Sequence, residues 1–181
     1  MDVMNSSLSA VLFDEKTIQN RIREMGAELS KVFADETPVM ICILRGAVTF
    51  LSDLMRYTAI PLEIDFLSIS SYGNSSKSSG IVQIRKDIDI EIKGRHVIII
   101  EDIVDSGLSL NYLKEYLFKQ EPKSITTCVL LSKPSAHKVE VQIDYLGFEI
   151  EDEFVVGYGL DYAEKFRNLP YIGILKKEVY T

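Results

Sequence analysis

The sequence predicts an α/β fold: a mainly parallel, twisted sheet flanked by helices. Two observations carry this. Val39–Leu44 and Val97–Ile100 are apolar throughout and Ile125–Leu131 mostly so, which marks strands covered on both faces. Between them run segments whose apolar residues recur three and four apart, the period of a helix packed on one side. Strand–helix–strand alternation of this kind builds parallel sheets.

The elements follow in order. Residues 15–33 read as a helix, with Ile18, Ile22, Met25, Leu29 and Val32 on one stripe and Asp14 placed to cap it. Thr37-Pro38 ends it, and the first buried strand follows. Arg45-Gly46 then turns into a helix with Ala47, Phe50, Leu51 and Leu54 on one face. EIDFLSI at 63–69 alternates like a strand. Residues 68–80 hold seven serines, two glycines and one aromatic, Tyr72. Such a stretch buries little apolar surface, so a mobile loop is expected there. Ile81–Ile92 resumes alternation around charges, and Gly94 breaks the chain before the second buried strand. Leu110, Leu113 and Leu117 predict a third helix. After the third buried strand come shorter ones at Tyr145–Phe148, Phe154–Tyr158 and Tyr171–Leu175.

The chain has 181 residues, a length that suits one domain. Its longest apolar run is Val39–Leu44, far short of the about 20 residues of a membrane-spanning helix. The start, MDVMNSSLSA, lacks the apolar centre of a secretory signal. A net charge of −7 argues against nucleic acid and anionic membranes as partners. Cys42 and Cys128 sit in apolar segments, which fits free thiols in a reducing compartment and a cytoplasmic protein.

The chemistry concentrates in VIIIEDIVDSGLSL, residues 97–110. A buried strand runs into two adjacent carboxylates, Glu101 and Asp102. Asp105 follows, and Ser106-Gly107-Leu108-Ser109 opens a helix. Open α/β sheets bind ligands outside the carboxyl ends of their strands, and a helix N-terminus offers free N–H groups to a phosphate. Carboxylates beside a phosphate need a cation between them, and Mg²⁺ suits oxygen ligands. The plainer reading is a solvated turn that caps a helix; three carboxylates within five residues of a fully apolar strand weigh against it. No Walker-type phosphate loop or complete dinucleotide fingerprint is present. His96 and His137 stand alone and make poor metal ligands.

This stretch resembles the phosphoribosyl-pyrophosphate (PRPP) signature of the type I phosphoribosyltransferases. LRGA at 44–47, SSYG at 70–73, LLSKPS at 130–135 and DEFVVGYGLDYAEKFRNLPYIG at 152–173 narrow the resemblance to the hypoxanthine-guanine branch. It runs from about residue 10 to 176. The resemblance implies a type I phosphoribosyltransferase fold in a single domain, 1–181, with a small hood made by the N-terminal segment and residues from about 150 to 181. It implies Mg²⁺-dependent transfer of the 5-phosphoribosyl group of PRPP to hypoxanthine or guanine, releasing pyrophosphate, in purine salvage. It also implies a homodimer or homotetramer.

Residue by residue, the resemblance gives Asp105 the role of general base at purine N7, and residues 105–109 that of 5′-phosphate loop. Glu101 and Asp102 match the acidic pair that binds the ribose hydroxyls and their Mg²⁺ shell. Asp161 matches a purine-side ligand of a second Mg²⁺. Arg45, Gly46 and Arg167 match the pyrophosphate site, whose loop is often built on a non-proline cis peptide. Lys133 matches the donor to the purine 6-oxo group, Phe154 the stacking ring and Val155 a backbone contact. Ser71 and Tyr72 match the lid. Ser109, Leu108 and Ala47 depart from the family's commoner residues without removing a group the chemistry needs.

Two rival readings remain. A PRPP-sensing regulator would share this pocket but carry a DNA-binding domain; only 38 residues precede the first sheet strand, and Asp105 and Lys133 are retained. A transferase for another base is the second. Segment 152–173 argues against adenine and uracil, and more weakly against xanthine.

Overall fold

The computed structural model describes residues 6–71 and 82–181. A six-stranded sheet runs in the order β4-β3-β2-β5-β6-β7, from β2 (Val39–Leu44), β3 (Glu63–Ser71), β4 (Val82–Lys86), β5 (His96–Val104), β6 (Ser124–Ser132) and β7 (Tyr145–Glu149). Every neighbouring pair is parallel except β3–β4. A small antiparallel sheet, order β1-β9-β8, joins β1 (Leu8–Phe13), β9 (Ile172–Leu175) and β8 (Val155–Val156).

Strand β2 buries both faces, as its sequence requires. Met40 and Cys42 face a core completed by Ile18, Ile22, Met25 and Leu29 of α1 (Glu15–Val32) and Phe50 and Leu54 of α2 (Val48–Tyr57). Val39, Ile41 and Ile43 face the other core, with Leu110, Leu113 and Leu117 of α3 (Leu108–Phe118). This alternation is the period of two of a strand. Asp14 caps α1 by accepting from Thr17 N at 2.7 Å. Val155, Tyr158, Leu160 and Ile172 join the α1–α2 core, so the small sheet is fastened to that face.

Three segments and one side chain differ from the sequence reading. Val32, expected on the buried stripe, is the last residue of α1 and lies 62% exposed. β1 is a strand where the sequence offered only a terminal segment; its partner β9 lies more than 150 residues away. The alternating stretch 81–92 is strand only to Lys86. Beyond it the buried Asp65 carboxylate accepts from the amides of Asp89 and Ile90, at 2.6 and 2.9 Å, and draws the chain off the ladder. Of Phe154–Tyr158, only Val155 and Val156 are strand, because positive φ at Gly157 and Tyr158 turns the chain away.

Candidate active site

β2 and β5 lie side by side, but the chain leaves β2 for β3 on one side and reaches β5 on the other. That is the topological switch point, where open α/β sheets form their ligand crevice. Pairing between the two strands stops at Cys42–Ile100, although β2 runs on to Leu44 and β5 to Val104. Glu101 and Asp102 therefore lie within β5, not at its end, just past the last rung shared with β2.

Two close backbone approaches shape this crevice. A Cβ on Gly46 would fall 1.6 Å from Asp102 Oδ2, and one on Gly159 would fall 2.1 Å from the Gly46 carbonyl oxygen. Gly159 also has φ of +99°. Only glycine lets these three segments meet. The Leu44–Arg45 peptide is cis. Arg167 donates to Gly159 O at 2.8 Å and pairs with Asp161 at 2.7 Å and with Glu164 at 3.3 Å. Glu164 also pairs with Arg45. Tyr158 is buried and donates to Asp53 of α2 at 2.5 Å, which pins the 157–160 turn.

A cleft of about 260 Å³ is lined by Asp102, Ile103, Asp105, Lys133, Phe154, Val155, Leu160 and Asp161. Beside it a pocket of about 100 Å³ is lined by Asp105, Ser106, Gly107 and Ser109 at the start of α3, with Glu101, Ile103, Val104 and Leu110. The first-turn N–H groups of a helix have no partner within it, and φ of +80° at Gly107 sets the turn before α3. Ile103 and Asp105 belong to both cavities.

Burial is the main electrostatic influence on the acidic pair. It holds the Glu101 carboxyl well above its ordinary range, and the neighbouring Asp102 charge adds to this. Burial lifts Asp102 too, while hydrogen bonds from Glu101 and the Ile103 amide, and the charge of Arg167, pull it back in part. The Cys42 thiol beneath them is pushed up to about 12, by burial first and then by these carboxylates. Lys133 is largely buried, lines the cleft and has its Nζ 3.4 Å from Asp152.

The purine-side residues expected from the sequence, Lys133, Phe154, Val155 and Asp161, meet Asp105 and Asp102 in one cleft. Ser106, Gly107 and Ser109 gather in the adjoining pocket; Leu108 begins α3 and is not among its lining residues. Arg45 and Arg167 are bridged by Glu164. Glu101 and Asp102 sit on different cavities, and no three His, Cys, Asp or Glu side chains among the described residues converge to hold an ion by themselves. Ser71 ends β3, and Tyr72, with residues 72–80 of the expected lid, lies outside the described residues. The sequence reading missed Ile103, Leu160 and Glu164. Glu164 sits in the run AEK, where an acid beside a lysine carries no signal of a site; Ile103 and Leu160 are apolar residues inside the quoted motifs, with nothing local to mark them as cleft walls.

Comparison with known proteins agrees with this geometry. A model described as the phosphoribosyl transferase domain matches residues 11–163. The chain is 50% identical to the hypoxanthine-guanine phosphoribosyltransferase of Bacillus subtilis (strain 168), covering 98% of this chain and 99% of that one. It is 47% identical to the bifunctional protein TilS/HprT of Listeria monocytogenes, over 98% of this chain but only 28% of that longer protein. A crystal structure of a hypoxanthine phosphoribosyltransferase from Staphylococcus aureus superposes with a TM-score of 0.95 at 45% identity, covering 99% of this chain and 97% of that one.

Proposed function

The chain belongs to the phosphoribosyl transferase family, and from that premise we propose that it is a purine salvage enzyme, transferring the 5-phosphoribosyl group of PRPP to hypoxanthine or guanine and releasing pyrophosphate. One observation carries this reading. Asp105 stands on the shared wall of a cleft of about 260 Å³ and a pocket of about 100 Å³, so a base in the first and a 5′-phosphate in the second flank the same carboxylate. Asp105 accepts the proton that purine N7 loses as N9 attacks the sugar. Lys133 donates to the 6-oxo group, Phe154 stacks on the ring, and Val155 meets it through its backbone. The N–H groups of residues 106–109 hold the 5′-phosphate. Arg45 and Arg167, with the backbone at Gly46, take the pyrophosphate end, where guanidinium forks match phosphate oxygens.

Glu101 and Asp102 would serve one Mg²⁺ and Asp161 a second. Asp102 and Asp161 on the cleft wall and Glu101 beside it supply oxygen ligands, which suit a hard cation, and Mg²⁺ characteristically binds through one or two carboxylates plus substrate oxygens and water. When bound, it would neutralise charge on the leaving pyrophosphate. We read residues 1–181 as one domain whose small sheet hoods the cleft. An assembly of two or four copies and a reducing, cytoplasmic setting go with the same reading; Cys42 and Cys128 are both free and buried.

The test is direct. The protein is incubated with PRPP, Mg²⁺ and each of hypoxanthine, guanine, xanthine, adenine and uracil, and nucleotide is measured with and without excess chelator. Nucleotide from hypoxanthine or guanine, abolished by chelator, is expected. Binding of PRPP without turnover on any base would favour a sensor, and preference for xanthine would move the base assignment. Full turnover in chelator would remove the metal.

A further inference from the structure

Glu164 holds both arginines assigned above to the pyrophosphate. One carboxylate oxygen pairs with Arg45 and the other with Arg167. The two arginines come from segments more than 100 residues apart and are brought to one carboxylate by the fold. The turn that carries Glu164 is built for this placement. Ala163, Glu164 and Phe166 all have positive φ, at 49°, 64° and 77°, a conformation that residues with side chains adopt at a cost. Asp161 fastens the turn by accepting from Glu164 N at 2.9 Å. Yet the Glu164 side chain is 60% exposed, so it can swing into water without opening the core.

A carboxylate spanning two guanidinium groups offers them the same contacts as a pair of phosphate oxygens. We propose that Glu164 is an internal stand-in for pyrophosphate: it occupies Arg45 and Arg167 in the substrate-free protein, and the diphosphate must displace it. The carboxylate keeps the two arginines aligned between substrates and lowers the affinity for the product that has to leave. The inference rests on the reading that Arg45 and Arg167 bind the pyrophosphate group. Exposed ion pairs contribute little each, so releasing both should tighten pyrophosphate binding by roughly 2- to 30-fold.

The experiment is calorimetric titration of inorganic pyrophosphate with Mg²⁺ into the full-length protein and three variants, each checked for an unchanged melting temperature. Glu164→Gln removes the competing charge. Glu164→Asp keeps the charge but is one methylene too short to span both arginines. Both are expected to bind pyrophosphate more tightly than the parent. Tightening in Gln alone would reflect net charge and overturn the stand-in, as would unchanged or weaker binding in both. Arg45→Gln separates this inference from its premise. Unchanged pyrophosphate binding in that variant overturns the arginine assignment itself, whereas weakened binding beside unaltered Glu164 variants overturns the stand-in alone.

Discussion

Tyr180 stacks on Phe154, with ring centroids 4.9 Å apart and planes inclined by 27°. Tyr162 meets the same ring edge-on at 5.6 Å. Phe154 lines the cleft and neither tyrosine does, so Tyr180 covers a part of the ring that the cleft leaves free and Tyr162 adds an edge-on contact. Tyr180 belongs to α4 (Lys177–Tyr180), close to the end of the chain. A ring held this way presents its free face at a fixed tilt. Aromatic pairs contribute about 0.5–1.5 kcal/mol beyond burial, so Tyr180→Ala should weaken purine binding by about 2- to 13-fold, with Tyr180→Phe near the parent. Purine KM and PRPP KM are measured together, and the effect should fall on the first.

Lys133→Ala should damage recognition of 6-oxopurines selectively. A hydrogen bond from a charged donor contributes about 1.5–3 kcal/mol, which is roughly a 10- to 150-fold loss in kcat/KM for hypoxanthine. The ratio of hypoxanthine to adenine turnover checks it; an unaltered ratio would move selectivity to the backbone at Val155.

Asp105→Asn should slow the chemical step while PRPP binding holds. Asn caps a helix as well as Asp does, so a structural role predicts almost no change. A general base contributes about 10²–10⁴-fold. Single-turnover measurement isolates that step from product release.

Asp65 gives the pH dependence. Burial pushes its carboxyl up, but hydrogen bonds from the Ile90, Phe66 and Asp89 amides and the charge of Lys86 outweigh this and hold it below the ordinary 3.8. A depressed carboxyl stabilises the fold in full above its unfolded value and loses that contribution as pH falls through the native one. Asp65→Asn should therefore cost stability at pH 7, by about 1–3 kcal/mol or about 2–12 °C in Tm. The gap between variant and parent should narrow once the pH drops below about 3.8. Melting curves at pH 7 and pH 3 measure it.

What the sequence made legible was local. The stripe from Ile18 to Leu29, the doubly apolar β2 and β5, and the Glu101–Ser109 run are patterns within a dozen residues, and the structure keeps them; Val32, expected on the same stripe, is exposed at the helix's end. Relations across the chain were not legible in the same way. β1 exposes much of its length, so its pattern is weak until β9 pairs with it. The alternation at Asp87–Ile92 misled because Asp65, over 20 residues earlier, competes for its amides. The Tyr158–Asp53 bond spans 105 residues and leaves no periodic trace. Glu164 looks like any surface acid until Arg45 and Arg167 are brought to it by the fold.

The contact of Gly159 on Gly46 on Asp102 also bears on how this sequence can drift. At position 46 any side chain strikes the Asp102 carboxylate; at 159 it strikes a main-chain oxygen, which no substitution elsewhere can trim away. A compensating change can exist for the first collision and not for the second. Saturation mutagenesis should find position 159 closed to every replacement, whereas Val32 and Phe118, at 62% and 71% exposure, accept most. The lineage of such a protein is thus free to vary around this point but is anchored at it, and the anchor is a place where nothing protrudes.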